Sequence, residues 1–414
     1  MVRRKRILFV DDEPRIISGV CRMMRSVRAE WETFGTSVSP EALDIVARDD
    51  IDVIVSDMRM PGMMGCDLLE AVRKRHPRTI RLALSGQASK VDVDTCVGLA
   101  HRFLSKPCPA QTLKEALDRA RILVGMPLGD GLKGILGSLQ ALPSEPGAYE
   151  RLQHVVQAKG PTVQAVTDAV SHDVGMSLRI LQLLSSSFYA ARIGVMSPAR
   201  QVEFLGVNVL RRLAGLPAAF CRCSRPEGRH VSLARQCHHA GTVADFARRI
   251  AQTENAPQGA ADDVYAAGLL HDVGKVVWIT QLPEAYDAAL ALVKERRIDP
   301  LEAEYQTLEA MHTLAGAYLI GLWGLPDAVM EAAAFHHTPL DATDAGLIPT
   351  VMVHAADVLA HELAGAAEGM DPPELDEAAL REAGLAHRVP AWRAACLQHV
   401  EREMEHEQET FVRR

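Results

Sequence analysis

The sequence has little that would anchor, staple or strongly charge it. Aromatic residues make up only 5% of 414 residues, with 4 Trp, 6 Tyr and 9 Phe. No run of about 18 uncharged apolar residues occurs, so no transmembrane helix is expected. The basic start Met1–Arg6 is followed by only the short apolar run Ile7–Val10 before Asp11, which is too short for a signal peptide. A cytoplasmic location is the resulting expectation. The 8 cysteines are scattered, without the close spacing of a small disulfide-stapled domain, and reduced thiols are expected. Cationic excess is also missing: Lys+Arg 45 against Asp+Glu 53 gives a net charge of −8, which argues against a chain-wide nucleic-acid footprint. What is present is ordinary for a globular chain, 48% hydrophobic and 24% charged, and this excludes wholesale disorder. The length fits two or three domains with their own cores. The one conspicuous count is 16 His.

Along the first 124 residues short apolar runs alternate with amphipathic stretches. Ile7–Val10, Val53–Val55, Ile80–Leu84 and Phe103–Leu104 read as buried parallel strands, and Arg15–Arg25, Pro40–Ala47, Cys66–Arg75 and Gln111–Val124 as helices. The pattern predicts a doubly wound α/β sheet over residues 1–124, with chemistry at the carboxyl ends of its strands. Gly125–Asp130 interrupts it, and residues 125–135 read as a linker. Beyond, Ala, Leu and Val recur at helical spacing and prolines 143, 146, 161, 198 and 217 divide short helices. An all-α region is expected, with lobes at 136–220 and 230–370 on either side of the looser segment Cys221–Arg229. A charged extension at 371–414 should end in an exposed helix.

Asp11, Asp12, Asp57, Ser85 and Lys106 fall at or just past strand ends. Three clustered carboxylates repel one another unless a divalent cation neutralises them, and an all-oxygen set suits Mg²⁺. A lysine and a hydroxyl beside that cation suit a phosphoryl group, and a carboxylate can serve as nucleophile to form an acyl phosphate. Taken singly, Asp11 or Asp12 also reads as a turn acid capping the next helix. In "ILFVDDEP", "IDVIVSDMRMPGMMG", "LALSGQ" and "FLSKP", in this order and spacing, residues 4–124 strongly resemble the receiver domain of bacterial two-component response regulators. The resemblance implies a flavodoxin-like fold in which Asp57 accepts a phosphoryl group from a sensor histidine kinase. It implies that Asp12, Asp57 and the Arg59 backbone carbonyl hold Mg²⁺, with Asp11 acting through water. Ser85 and Lys106 would contact the phosphoryl oxygens, and Phe103 would reorient on activation. Ser stands at 85 where Thr is commoner, and Gly86 where Ala is usual.

The second constellation is histidine-rich. "GLLHDVGK" sets His271-Asp272 on an apolar helix with Lys275 one turn on; His239 precedes it, and His312, His336-His337 and Asp357 follow. Neutral imidazoles with a carboxylate suit Zn²⁺, Mn²⁺ or iron, and one or two such metals can activate water toward a phosphoester. A lone buried histidine is more often hydrogen-bonded than metallated. The order His239, His271-Asp272, His312, His336-His337, Asp357 looks like the ligand series of HD-superfamily phosphohydrolases, particularly the HD-GYP cyclic di-GMP phosphodiesterases, with Lys275 near a phosphate. However, "HHTPLDATDAGLIP" lacks the Gly-Tyr-Pro element those enzymes carry.

The stretch of about residues 136–360 resembles the HDOD domain, an HD-related output module. "LQALPSEPGAYERL", "VTDAVSHDVGMSLRILQLLSSSFY" and "SPARQVEFLGVNVLRRL" carry the resemblance, with Val174 in place of the usual proline and no Asn in "SSSF". HDOD domains resemble signalling or scaffolding modules that have lost catalytic ligands, whereas this chain retains the series. Two functions therefore follow. One is a response regulator signalling through an HDOD module, acting on that module or on a second subunit in a homodimer, with an unidentified downstream protein. The other is a metal-dependent phosphohydrolase governed by the receiver. Neither a membrane nor a nucleic-acid partner is expected.

Overall fold

The structure is a computed structural model and describes residues 3–86, 98–171, 173–185, 198–216, 219–222, 232–364 and 373–412. The expected loose segment falls at 223–229, outside these residues apart from its first two positions. No described helix is long and apolar enough to cross a membrane.

The amino-terminal part is a five-stranded parallel sheet in the order β2-β1-β3-β4-β5. Its strands are β1 (Lys5–Val10), β2 (Trp31–Thr36), β3 (Val53–Asp57), β4 (Ile80–Ser85) and β5 (Arg102–Ser105). β3 and β4 are buried along their whole length, which is why they read as continuous apolar runs. β2 is absent from the sequence-based expectation. It is an edge strand whose "WETFGT" is mostly half-exposed, so it carries neither a solid apolar run nor clean alternation. Helices α1 (Pro14–Met24), α2 (Ser39–Asp49), α3 (Gly65–Arg75) and α4 (Ala110–Gly125) lie within two residues of expectation. Proline near the first turn starts α1 and α2, where its missing N–H costs nothing. Cys66 is disulfide-bonded, against the expectation of reduced thiols throughout. Linear spacing does not reveal which cysteines the fold brings together.

Where a linker was expected, Asp130–Ser138 forms helix α5. Gly137 in it has a packing reason: a Cβ there would collide with the Pro77 carbonyl oxygen. The fully buried Arg81 donates to the Gly137 carbonyl from one side and to the carbonyls of Thr79 and Leu99 from the other. A buried guanidinium is tolerated only when its N–H groups find such partners.

The rest is helical: α6 (Pro146–Gln157), α7 (Val163–Val170), α8 (Val174–Leu184), α9 (Pro198–Leu205), α10 (Val207–Ala214), α11 (Leu233–Thr253), α12 (Gln258–Leu270), α13 (Val273–Gln281), α14 (Pro283–Arg296), α15 (Pro300–Leu308), α16 (His312–Leu322), α17 (Asp327–Phe335), α18 (Leu347–Ala364), α19 (Glu377–Glu382) and α20 (Val389–Val412). The only strands described here are the two-residue pair Pro143–Ser144 and Cys221–Arg222. Side-chain caps set several starts: Thr162 on Ala165, Asp173 on Met176, Ser232 on Arg235 and Asp299 on Leu301, each satisfying an otherwise orphaned N–H. The terminal helix is not wholly exposed, because Trp392 and Cys396 are buried and Trp392 Nε1 donates to Glu254.

One apolar core joins the sheet to the helices, running from Ile7 and Leu82 through Leu117 and Leu123 of α4 to Tyr318 and Leu322 of α16. At this junction Gly321 faces Leu123 so closely that a Cβ would overlap it, and Gly324, at φ +74°, accommodates the Arg102 side chain. Arg119 of α4 donates to the Leu325 carbonyl and the Asp327 carboxylate. The Arg179 guanidinium lies over the Trp323 ring, 5.2 Å from its centroid, a cation–π contact that ties α8 to the end of α16.

Candidate phosphoacceptor pocket and metal cluster

The strand ends bring the first constellation together. Asp11 follows β1, Asp57 ends β3, Ser85 ends β4 and Lys106 follows β5. Asp11 and Asp57 are buried and Asp12 is exposed, and each can offer an oxygen within 4.8 Å of the others. Lys106 Nζ lies 2.6 Å from Asp11 Oδ2 and 3.0 Å from Asp57 Oδ2. Burial opposes its charge, but hydrogen bonds to both carboxylates keep the ammonium above its usual range. Asp57 Oδ1 accepts from the Met58 amide at 2.7 Å, fixing the carboxylate against the backbone. Gly65 is required beside it, since a Cβ would strike the Asp57 carbonyl. Ser85 and Phe103 are buried next to the pocket, on β4 and β5. Arg59 is the second residue past β3.

The second constellation converges from six helices. Two groups each offer ligand atoms within 4.8 Å of one another: Asp272, His312, His336 and His337, and then His239, His271 and Asp357. His312 Nε2 is 3.1 Å and His336 Nε2 3.5 Å from Asp272 Oδ1. His239 Nε2 is 3.0 Å and His271 Nε2 3.7 Å from Asp357 Oδ1. None of these pairs is aligned as a hydrogen bond. Twelve buried side-chain N and O atoms lack a partner among the described residues, and seven belong to this cluster: Nε2 of His239, His271, His312, His336 and His337, and Oδ1 of Asp272 and Asp357. Orphaned buried polar atoms are costly, so seven converging on two points have the donor set of a divalent-metal site. The opposite ring nitrogens are occupied. His271 Nδ1 donates to the Gly268 carbonyl at 2.6 Å, His336 Nδ1 to Ala333 at 3.2 Å and His312 Nδ1 to Glu304 at 2.9 Å. Each bond sets the tautomer that leaves an Nε2 lone pair facing inward.

The imidazoles differ in their electrostatics: at His312 burial is outweighed by Glu304, which raises it, whereas His271 and His337 are lowered. Burial pushes His271 down to about 3 and keeps His337 neutral as well. Burial would raise the Asp272 carboxyl, but Lys275 and the imidazoles hold it well below the carboxylate range. Close backbone approach builds the cluster: a Cβ on Gly274 would collide with the His312 carbonyl, so α13 and α16 start side by side only with glycine at 274. Lys275, expected near a phosphate, ion-pairs with Asp272 Oδ2 at 2.7 Å.

Three neighbours carried no sequence signal. Gln236 Nε2 donates to Asp272 Oδ2 at 3.1 Å, His361 approaches Asp357, and Glu304 holds His312. Glu304 is buried, which disfavours its charge, yet its pairing with His312 and the hydrogen bonds between them keep the carboxylate below its usual range. It accepts from both the His312 amide, at 2.6 Å, and Nδ1. A Glu304→Gln variant is expected to weaken divalent-metal binding at Asp272 and His312 by about 10–100-fold, the usual effect of removing a ligand's carboxylate partner. Chelator competition measures this; wild-type affinity in the variant would show that Glu304 does not tune the ligand.

Comparison with known proteins adds the decisive match. The response regulator receiver domain model matches residues 7–118, and the HDOD domain model matches residues 142–339. The chain is a receiver domain followed by an HDOD domain. The receiver match covers the candidate pocket, and the HDOD match ends just beyond His336 and His337, leaving Asp357 and His361 downstream of it. Among curated proteins, the hydrogenase transcriptional regulatory protein HoxA of Cupriavidus necator is 26% identical over 224 residues, 49% of this chain and 44% of that protein. The response regulator protein PilR of Pseudomonas aeruginosa is 29% identical over 169 residues, 38% of this chain and 36% of that one. The chain thus spans less than half the length of these relatives. The MmoQ response regulator of Methylococcus capsulatus, a solved structure, is 21% identical, covers 61% of this chain and 98% of its own, and superposes with a TM-score of 0.46.

Proposed function

We propose that the chain is a phosphorylation-controlled response regulator in which Asp57 accepts a phosphoryl group and the HDOD domain, holding divalent metal, transmits the state. The observation that carries this reading is helix α16. It begins with the cluster residue His312 and meets Leu123 of receiver helix α4 at Gly321, about 14 Å away at 1.5 Å per residue.

In the receiver, Asp12, Asp57 and the Arg59 carbonyl would hold Mg²⁺, with Asp11 through water, and the cation would neutralise charge on the incoming phosphoryl group. Asp57 supplies the attacking oxygen, while Lys106 and Ser85 meet the transferred oxygens. The donor would be a sensor histidine kinase in the cytoplasm. Once Asp57 is phosphorylated, Lys106 exchanges one carboxylate partner for phosphoryl oxygens, and β5 links it to the junction with α16. A charge change of this kind needs only a two-state element to act at distance.

In the HDOD domain, Asp272, His312, His336 and His337 would hold one ion of Fe, Mn or Zn, and His239, His271 and Asp357 a second. The seven orphaned atoms also favour a second reading, metal-dependent phosphoester hydrolysis, because such ions can activate water. Engagement of Lys275 by Asp272 and the absence of a Gly-Tyr-Pro element favour signalling.

Hydrogen exchange on the full chain tests the coupling. Acetyl phosphate is expected to change protection in both α4 and α16 of the wild type and in neither helix of Asp57→Ala. A change confined to the receiver would overturn the reading.

A further inference from the structure

The terminal helix α20 packs on α11, and between the two lies a hollow of about 220 Å³. Arg249, Gln252 and Thr253 line it on one side and Gln398, His399 and Arg402 on the other. Two guanidinium groups, an imidazole and two carboxamides thus face one space, and no carboxylate lines it. α20 lies beyond residue 339, where the HDOD match ends.

The two arginines differ from those around them. Arg248 pairs with Asp245 at 2.7 Å, Arg388 with Glu254 at 2.8 Å and Arg393 with Glu362 at 2.9 Å. Arg249 and Arg402 have no carboxylate partner among the described residues, in a chain of net charge −8. Arg249 is half-buried and donates instead to His399 Nδ1, at 3.1 Å. A guanidinium offers only N–H groups, so His399 Nδ1 accepts and the ring proton sits on Nε2, toward Asp245 Oδ2 at 4.0 Å. The Thr253 hydroxyl is spent on the Arg249 carbonyl at 2.9 Å. The donors left open to the hollow are the remaining guanidinium N–H groups, with the exposed amides of Gln252 and Gln398 at the rim.

We propose that this hollow binds a small soluble phosphate anion, inorganic phosphate or a compact phosphomonoester, clasped between Arg249 and Arg402. A guanidinium presents N–H groups that meet phosphate oxygens in pairs. A phosphate group carries a charge of about −1.5 to −2 at neutral pH, which balances two arginines. The volume falls below the roughly 300–1,000 Å³ of sites that enclose drug-sized ligands, so a larger organic remainder would protrude past the glutamine rim. α11 also carries His239, about 15 Å along the helix from Arg249 at 1.5 Å per residue. A seated anion would therefore tie α20 to a helix that supplies the histidine cluster.

The full chain is titrated with inorganic phosphate and, separately, with glycerol phosphate. Hydrogen exchange reads the binding, which separates this hollow from the Asp57 pocket and the histidine cluster. Wild type is expected to gain saturable protection at 249–253 and 395–402. Arg249→Gln and Arg402→Gln should each weaken that response about 10-fold or more, and Arg249→Lys, which keeps the charge without the fork, should fall between. Arg402 is exposed, so its replacement tests the site without disturbing the fold. Saturation by both anions assigns the site to a phosphomonoester, and saturation by inorganic phosphate alone assigns it to the free ion. Unchanged affinity in the double variant Arg249→Gln/Arg402→Gln would overturn the proposal. So would the lack of any added protection at these residues, or equal protection by succinate at the same concentration.

Discussion

Asp57→Ala is expected to lose all phosphorylation by acetyl phosphate, while the wild-type chain is expected to take up one phosphoryl group in the presence of Mg²⁺. The expectation is this steep because no second nucleophile is comparably placed. Asp57 ends a fully buried strand, its Oδ1 is held by the Met58 amide and its Oδ2 by Lys106. Asp11 is also bound to Lys106, and its other oxygen accepts from the Glu13 amide at 3.1 Å. Asp12 is exposed, without a comparable orienting frame. Withdrawal of Mg²⁺ with a chelator should abolish labelling of the wild type as completely, since three carboxylates and a phosphoryl group repel one another without a cation. Intact-mass measurement reads both results, and equal labelling of Asp57→Ala would refute the assignment.

Substitution of Asp272 has the next largest effect, and it acts on two properties at once. Asp272→Ala removes the only carboxylate of the first metal position, so bound metal falls from two ions per chain to at most one. The same change strips Lys275 and Gln236 of their shared acceptor. An unpaired, part-buried ammonium is destabilising, so Asp272→Ala should also unfold at lower temperature. Asp272→Asn separates the two effects: it keeps an acceptor oxygen for Lys275 and most of the stability, yet supplies no charged ligand. Metal content of the Asn variant equal to wild type would refute the metal assignment. Cyclic dinucleotides and nucleotides offered to the Mn²⁺- or Fe²⁺-loaded chain give the functional arm. Turnover by wild type that disappears in Asp272→Asn would replace the signalling reading with the hydrolase.

The receiver pocket was legible in the sequence because a parallel sheet converts linear order into proximity. Each strand ends at the same edge, so Asp11, Asp57, Ser85 and Lys106 had to meet once the strands were recognised. The histidine series was legible only through its order. Nothing in the spacing places His239 of α11 beside Asp357 of α18, and that meeting depends on how the helices cross. The residues that escaped notice, Glu304, Gln236 and His361, act through a partner from elsewhere in the fold or through a helical turn, and each alone resembles an ordinary polar surface residue. The edge strand β2 and the glycine-rich α5 were missed for related reasons. Local composition described their exposure and flexibility, whereas neighbouring backbone, such as Pro77 and Arg81 against Gly137, determines their structure.

The shared core between α4 and α16 also works in the opposite direction. Coupling between two equilibria is reciprocal: if a phosphoryl group on Asp57 changes how firmly His312 holds its ion, filling the histidine cluster changes the equilibrium constant for phosphorylating Asp57 by the same factor. A cell short of the metal would then show a different steady-state response to an unchanged kinase. Through one helix, the protein would report metal supply as a setting on the gain of a phosphorelay.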